Sequence, residues 1–300
     1  MDITKCRAFI TAVEQGSITA AAETMGYTQS GLTRMINSLE EELGFPLLRR
    51  SKKGVTLTEN GQLMIVPMRE MIRACNRVLE TGAVIRGVVT GVISVGIYFS
   101  ASTIIMPSIL KRFEELYPDV RVRLQEGGNT DMKRWLKGKS VDLCFCAEPS
   151  SDTECDWIPL FKDKMVAWLP KGHPKAGQKV FPVKDIEKEP FIHTLPNHDT
   201  DQDRLLREEN LHPEVRYTTK DGFSTYNMVA AGLGISFNQS IISRKWKDDI
   251  ALVPLQPARY VSMGIAVPSL KELSPAAKRF MECIQQVTKE LGYHMPSEKQ

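Results

Sequence analysis

The stretch 28–43, TQSGLTRMINSLEEEL, carries the side chains best suited to recognition chemistry. Gln29, Ser30, Thr33, Arg34 and Asn37 offer short or forked hydrogen-bonding groups, and no acid joins them before Glu40. A solvated helix face normally mixes Glu with Lys. Two donor-rich turns without an acid suit a surface that must approach phosphates and base edges. Opposite them, Leu32, Met35, Ile36, Leu39 and Leu43 recur with the period of a helix that buries one stripe. An ordinary amphipathic helix has the same stripe, so the flanking elements decide between the two readings.

Those elements favour a DNA-reading helix. Cys6, Phe9, Ile10 and Val13 have helical spacing and Gly16 ends that helix; Ser17 caps a second one built on Ile18, Ala21, Ala22 and Met25, which stops at Gly26. Thr28 caps the third after a connection of one or two residues, giving a tight helix-turn-helix whose second helix enters the major groove N-terminus first. Two short extended runs follow, around 47–50 and 55–57, joined at Lys52, Lys53 and Gly54. Arg49, Arg50, Lys52 and Lys53 make this hairpin basic, and a basic hairpin in this place is a wing able to grip phosphates or a minor groove. Residues 1–58 hold seven Lys/Arg against six Asp/Glu, with the acids gathered at Glu40, Glu41 and Glu42, so the field is polarised instead of uniformly positive.

From Thr58 a helical pattern runs to about Arg86. Met64, Met68, Met71, Cys75, Val78, Gly82 and Ile85 alternate in steps of four and three, with Pro67 expected to kink the first turns. A helix this long projecting from a small domain is expected to pair with a second copy; packing of its Met-rich stripe on its own chain is the competing reading.

After residue 88 strand and helix alternate. VISVGIY, VRVRLQE and VDLCFCA read as strands separated by helices at 103–117 and 130–137, a parallel βαβαβ unit. A second series follows in MVAWLP, PFIHT, a helix at 200–210, EVRYTT, a helix at 223–231 and LGISFN; VSMGIAVP then returns the chain and 275–291 closes it. Two α/β lobes leave a cleft in which ligands meet the C-terminal ends of strands. Composition sets the outer bounds. Three hundred residues at 42% hydrophobic content support more than one domain, and no apolar run is long enough for a bilayer, so a cytoplasmic protein with no membrane partner is expected. Six scattered cysteines lack a zinc-like pair, and Cys144 and Cys146 read as buried strand residues. His193 and His198 have the wrong spacing for a metal pair and are expected in a loop.

Taken together, AFITAVEQGSITAAAETMGYTQSGLTRMINSLEEELGFPLLRRSKKGVTLTENG resembles the winged helix-turn-helix of the LysR-type transcriptional regulators. LKRFEELYPDVRVRLQEG, VDLCFC, PLFKDKMVAWLPKGHP, KEPFI and MVAAGLGIS continue the likeness through that family's effector domain. The resemblance implies an α/β chain with an N-terminal all-α winged helix-turn-helix (1–58), a linker dimerisation helix (59–88) and a two-lobed, periplasmic-binding-protein-like effector domain (89–300). In the last, lobe I is 89–163 with 267–300 and lobe II is 164–266. It further implies a regulator that binds double-stranded promoter DNA as a dimer or dimer of dimers and answers a small-molecule effector, without a cofactor.

Thr28, Gln29, Ser30, Thr33, Arg34, Asn37, Arg50, Lys52 and Lys53 are the expected DNA contacts, with Gln29, Thr33, Arg34 and Arg50 matching the family's contact positions. Ser30 stands where proline is usual, Gly31 where alanine is common and Leu48 where phenylalanine is frequent. For the cleft the resemblance points to Ser100, Ser102, Asn129, Thr130, Asn197, His198, Asp199, Thr200 and Thr225. Hydroxyls and amides at helix starts suit a small anion or carboxylate, and the same residue types are ordinary caps. An enzyme is the rival class, but the chain has no GxSxG, P-loop, GxGxxG or HExxH pattern. A solute-binding protein would lack the DNA-binding segment, and a thiol switch in lobe II would need cysteines that residues 164–266 do not contain.

Overall fold

The computed structural model describes residues 1–51, 53–243, 246 and 249–293. They form two compact units, Met1–Val88 with Gly138–Ser140, and Val89–Lys137 with the chain from Val141 onward.

In the first unit α1 (Ile3–Gln15), α2 (Ile18–Met25) and α3 (Gln29–Leu43) are each set by local chemistry at both ends. Asp2, Ser17 and Thr28 cap the N-termini by accepting from Thr4, Ala20 and Gly31, and Gly16, Gly26 and Gly44 end the helices in the left-handed conformation. Phe9, Ala12, Ala21, Leu32, Ile36 and Leu39 are completely buried between them. The hairpin of β1 (Leu48–Ser51) and β2 (Gly54–Leu57) pairs Leu48 with Leu57 and Ser51 with Gly54. It lies against the first turn of the domain: Val55 N–H donates to the Gly16 carbonyl at 2.9 Å. A Cβ on Gly54 would come within 2.3 Å of that oxygen, so only glycine permits the approach.

The long helix α4 (Glu59–Ile85) runs unbroken through Pro67. Its first half departs from the sequence reading. Met64, Ile65, Met68, Met71 and Ile72 pack on the helix-turn-helix core, so this part of the seam is covered by the chain itself. Beyond Ile72 the large apolar residues Val78, Leu79 and Ile85 are open at 72%, 65% and 82% exposure, whereas Ala83 is buried at 4%.

The second unit contains β3 (Gly91–Ile97), α5 (Phe99–Ile104), α6 (Met106–Leu116), β4 (Val120–Glu126), α7 (Asn129–Lys137) and β5 (Leu143–Ala147). Then come β6 (Asp156–Pro170), β7 (Phe181–Pro182), β8 (Phe191–Thr194), α8 (Asp201–Glu208), β9 (Val215–Thr219) and α9 (Gly222–Ala230). The chain ends in β10 (Ser236–Gln239), α10 (Ser240–Ser243), β11 (Ile250–Gln256), β12 (Tyr260–Val267) and α11 (Pro275–Glu290).

Strands β4, β3 and β5 are parallel, and the sheet continues through β12, β6, β11 and β7, with β10 also on β6. β6 joins the lobes: residues 156–164 pair with β12, whereas 165–170 lie between β10 and β11. β8 and β9 form a separate parallel pair, with a bridge from Phe191 to Ile235. The helix expected over 103–117 is divided between α5 and α6, with Ile105 at the junction and Pro107 in the first turn of α6. β11 and the first half of β6 have no counterpart in the sequence reading. His193 lies buried on β8 and not in a loop; Cys144 and Cys146 are buried on β5 as expected.

Helix α4 begins against the wing. A Cβ on Gly61 would stand 2.2 Å from the Leu47 carbonyl oxygen. Gly61→Ala is therefore expected to destabilise the protein by about 1–3 kcal/mol through overpacking. An unchanged urea midpoint would show that helix and wing are not in this contact.

Candidate functional site

The apolar stripe of α3 fixes its roll, and with Leu32, Ile36 and Leu39 buried, Gln29, Ser30, Arg34 and Asn37 are exposed. Thr28 receives the Gly31 N–H at 3.1 Å and lies 3.2 Å from the Ser30 hydroxyl. The Thr33 hydroxyl donates to the Gln29 carbonyl at 2.8 Å, which leaves its methyl and lone pairs for a partner. Arg34 has no hydrogen bond or ion pair among the described residues.

Arg50 is held in place: its Nη2 donates to Asn37 Oδ1 at 2.5 Å and stands 3.4 Å from Glu40 Oε2. Glu40, read from sequence only as part of an acidic helix end, also accepts the Leu47 and Leu48 N–H groups through Oε1 at 2.7 and 3.0 Å. One carboxylate thus ties the wing to the reading helix. Lys53 is exposed; Lys52, and the side chains of Ser100 and Ser102, lie outside the described residues.

In the second unit the parallel strands β3, β4, β8 and β9 end at a cavity of about 350 Å³. Tyr98, Phe99, Glu126, Gly128 and Asp131 line it from one lobe; Thr194, Leu195, His198, Asp201, Lys220 and Asp221 are among those lining it from the other. Of the residues expected here, His198 and Thr200 are present. Thr200 is buried and caps α8, accepting from Asp203 at 3.2 Å while Asp203 accepts the Thr200 N–H at 2.8 Å.

The other expected residues lie elsewhere. Asn129 Nδ2 donates to the Asp199 carbonyl at 2.6 Å and the Thr130 N–H to the His198 carbonyl at 3.4 Å, so the start of α7 binds the other lobe's backbone. Asp199 turns away to Arg204 and Arg207, at 2.9 and 2.7 Å. Burial raises its carboxyl, but the two guanidinium hydrogen bonds outweigh that and hold it below the ordinary range. Asn129, Thr130 and Asp199 line a neighbouring cavity of about 710 Å³. Asn197 is exposed with a left-handed backbone. Thr225 is fully buried, 2.7 Å from the Thr194 hydroxyl and 2.6 Å from that of Thr219, and supports the cavity wall from behind.

Sequence reasoning missed the groups that dominate the cavity's electrostatics. Among the described residues, Glu126, Asp131, Asp201 and Asp221 line it together with Lys220, and Asp131 is paired with Arg134 at 2.7 Å. Among the described residues the lining thus holds more acids than bases, in contrast to the hydroxyls and amides expected to meet a small anion or carboxylate. Asp201 Oδ2 accepts from Gln239 Nε2 at 2.6 Å and from the Tyr98 hydroxyl at 3.3 Å. Burial raises its carboxyl despite these bonds and the nearby Arg204. Gln202, 2% exposed, braces the floor: it accepts the Thr194 N–H and donates to Ser236 and the Phe237 carbonyl. No sequence signal separates Asp201 from an ordinary first-turn acid.

Two family models cover this chain. Residues 3–62 match the bacterial regulatory helix-turn-helix protein of the lysR family, and residues 86–289 match the LysR substrate binding domain. The chain belongs to the LysR family. It is accordingly a DNA-binding transcriptional regulator with an effector-binding domain, and not an enzyme. An uncharacterized HTH-type transcriptional regulator of Bacillus subtilis, YvbU, is 30% identical over 96% of this chain and 99% of its own length. CysL of the same organism is 24% identical over 80% and 81%.

Among solved LysR-type structures, a cysteine-to-aspartate variant of full-length OxyR from Pseudomonas aeruginosa superposes with a TM-score of 0.76 at 20% identity, covering 96% of this chain and 95% of that one. CbnR complexed with its target DNA gives 0.65 at 19%, covering 96% and 100%. No helix among the described residues is long and apolar enough to cross a membrane.

The raised carboxyl of Asp201 has a stability consequence with a definite sign. The folded state keeps a proton that the unfolded chain releases, so this group's contribution to stability falls as pH rises from the unfolded value towards the folded one. Asp201→Asn removes that loss. The variant is expected to gain stability relative to wild type between acidic and neutral pH in urea titrations; a pH-independent difference would sink the assignment.

Proposed function

We propose that this regulator reads promoter DNA with α3 and the wing, in paired copies, and that a small molecule in the 350 Å³ cavity changes how the copies engage their site. In this reading residues 1–58 bind DNA, 59–88 form the dimerisation helix and 89–300 sense the effector, within the cytoplasm. Gln29, Ser30, Thr33 and Arg34 reach base edges; Thr28, Asn37, Arg50, Lys52 and Lys53 serve the backbone. CbnR is solved on its target DNA, and the same docking is carried here as the working geometry.

The observation that carries the reading is Arg34: an exposed guanidinium with no partner among the described residues, on a face whose next arginine, Arg50, is already anchored by Asn37. A free fork beside a fixed one suits one bidentate base contact and one phosphate contact. Dimer formation is supported by the uncovered end of α4, where Val78, Leu79 and Ile85 expose more apolar surface than a monomeric helix normally leaves in water. The effector is left without the anion assignment, because among the described residues the lining sets Glu126, Asp131, Asp201 and Asp221 against Lys220, with Asp131 already paired to Arg134.

Arg34→Ala is expected to weaken binding to the true operator by about 1–3 kcal/mol while leaving non-specific binding nearly unchanged. A mobility-shift titration with equal affinity for both proteins would reject α3 as the reader. Leu79→Glu, placed where α4 is open, is expected to shift the protein to monomer in sedimentation, and an intact dimer would remove this end of the helix from the interface.

A further inference from the structure

Two buried amides line the same cavity and are incompletely satisfied. Gln239 is 1% exposed, and its Oε1 has no hydrogen-bond partner among the described residues; Asn238 is 8% exposed, and its Nδ2 has none among them. The Gln239 orientation follows from its neighbour. Its Nε2 donates to Asp201 Oδ2 at 2.6 Å, and turning the amide over would set its carbonyl oxygen against a carboxylate. The acceptor is therefore committed away from Asp201.

Both hydrogen bonds that Asp201 receives among the described residues fall on Oδ2, and none of these residues donates to Oδ1. Two acceptors from adjacent side chains thus await a donor, with Glu126, Asp131 and Asp221 on the surrounding wall. The cations that could neutralise Asp201 from within the protein are engaged or exposed. Arg204 is bound to Asp199 and to the Glu148 carbonyl, and Lys220 is exposed at the rim. Tyr98, Phe99, Met165, Leu195 and Ile242 supply apolar surface for the remainder of an occupant.

We propose that the cavity takes a small molecule carrying a protonated amine or amidine, seated between Asp201 Oδ1 and Gln239 Oε1, with its apolar body against Phe99, Met165 and Ile242. A neutral acceptor on the same molecule, such as a hydroxyl or ether oxygen, matches Asn238 Nδ2. This rests on the reading of the cavity as the effector site and gives that effector a charge. The titratable and charged groups around Asp201 are Tyr98, Cys146, Asp199 and Arg204; burial raises the Tyr98 hydroxyl and the Cys146 thiol, which keeps both neutral. Acidification competes with the cation for Asp201, so affinity for an amine falls as this carboxylate takes up its proton.

The test uses the full-length protein and three probes of nearly equal shape, benzylamine, benzyl alcohol and benzoate, titrated by calorimetry. Benzylamine is expected to bind about tenfold more tightly than benzyl alcohol, with benzoate weakest. Asp201→Asn is expected to close the gap between amine and alcohol and to remove the pH dependence, and Gln239→Leu to narrow the gap. Thermal melts establish that each variant folds, and the comparison of probes on wild type stands without them. Equal affinity for amine and alcohol, or a preference for benzoate, overturns the cationic ligand while keeping the cavity as a binding site. Failure of all three to bind or to shift the melting temperature overturns the ligand and the cavity reading together.

Discussion

A polar group taken out of water must find a partner, and this constraint organises both working ends of the chain. At the DNA-reading end, the first residues of the wing leave the sheet-forming Leu47 and Leu48 N–H groups without a strand to receive them. Glu40 supplies that acceptor from one turn short of the end of α3 and adds an ion pair to Arg50. The wing is therefore oriented by the helix that it assists. In the second unit Gln202 does the same for the cavity floor, with its oxygen on Thr194 and its nitrogen on Ser236 and Phe237. Against these completed networks the bare Oε1 of Gln239 stands out as a feature the fold does not explain by itself.

The long helix obeys the same logic with apolar surface. Its first four turns lie over α1, so Met68 is 1% exposed and the flanking Met64, Ile65, Met71 and Ile72 share the helix-turn-helix core. A seam that continues beyond its cover is a seam cut for another surface. The heptad rhythm is one pattern along the sequence, but two different neighbours satisfy it. Methionine suits the covered part, where the packing is irregular, and the branched Val78, Leu79 and Ile85 mark the open part.

Local signals made the first unit readable. Caps at Ser17, Thr28 and Thr58 and left-handed glycines at 16, 26 and 44 are short-range chemistry, and each acted where its residue type demanded. The second unit was readable where strands are buried on both faces and less so where they are not. β11 contains Pro254 and exposes Leu252, and the first half of β6 mixes Asp156, Pro159 and Lys162 among its apolar residues, so neither shows a clean period. The first half of β6 becomes a strand by pairing with β12, and β11 by pairing with the second half of β6, which is long-range information. The cleft residues failed for a related reason. Asn129, Asp199 and Thr225 have the right types at the right loops, yet backbone or side-chain groups of the protein engage them first, whereas Asp201 and Gln239 gain their significance only from standing 2.6 Å apart.

The energetic character of the cavity follows from how it is assembled. Thr200 and Asp203 close a capping box, the Thr194, Thr219 and Thr225 hydroxyls form a chain, and Asn129 fastens α7 to the loop before α8. These bonds are internal to the protein, so the fold itself holds the walls and little ordering remains for binding to supply. Burial nevertheless works against the charge of Asp201. A cation that pairs with it relieves an unfavourable term that the fold itself created. Because Phe99 comes from one lobe and Gln239 from the other, such a ligand favours the arrangement in which the two walls face each other. An effector acts on a population through this difference in affinity between arrangements, and the buried carboxylate of Asp201 is what enlarges the difference.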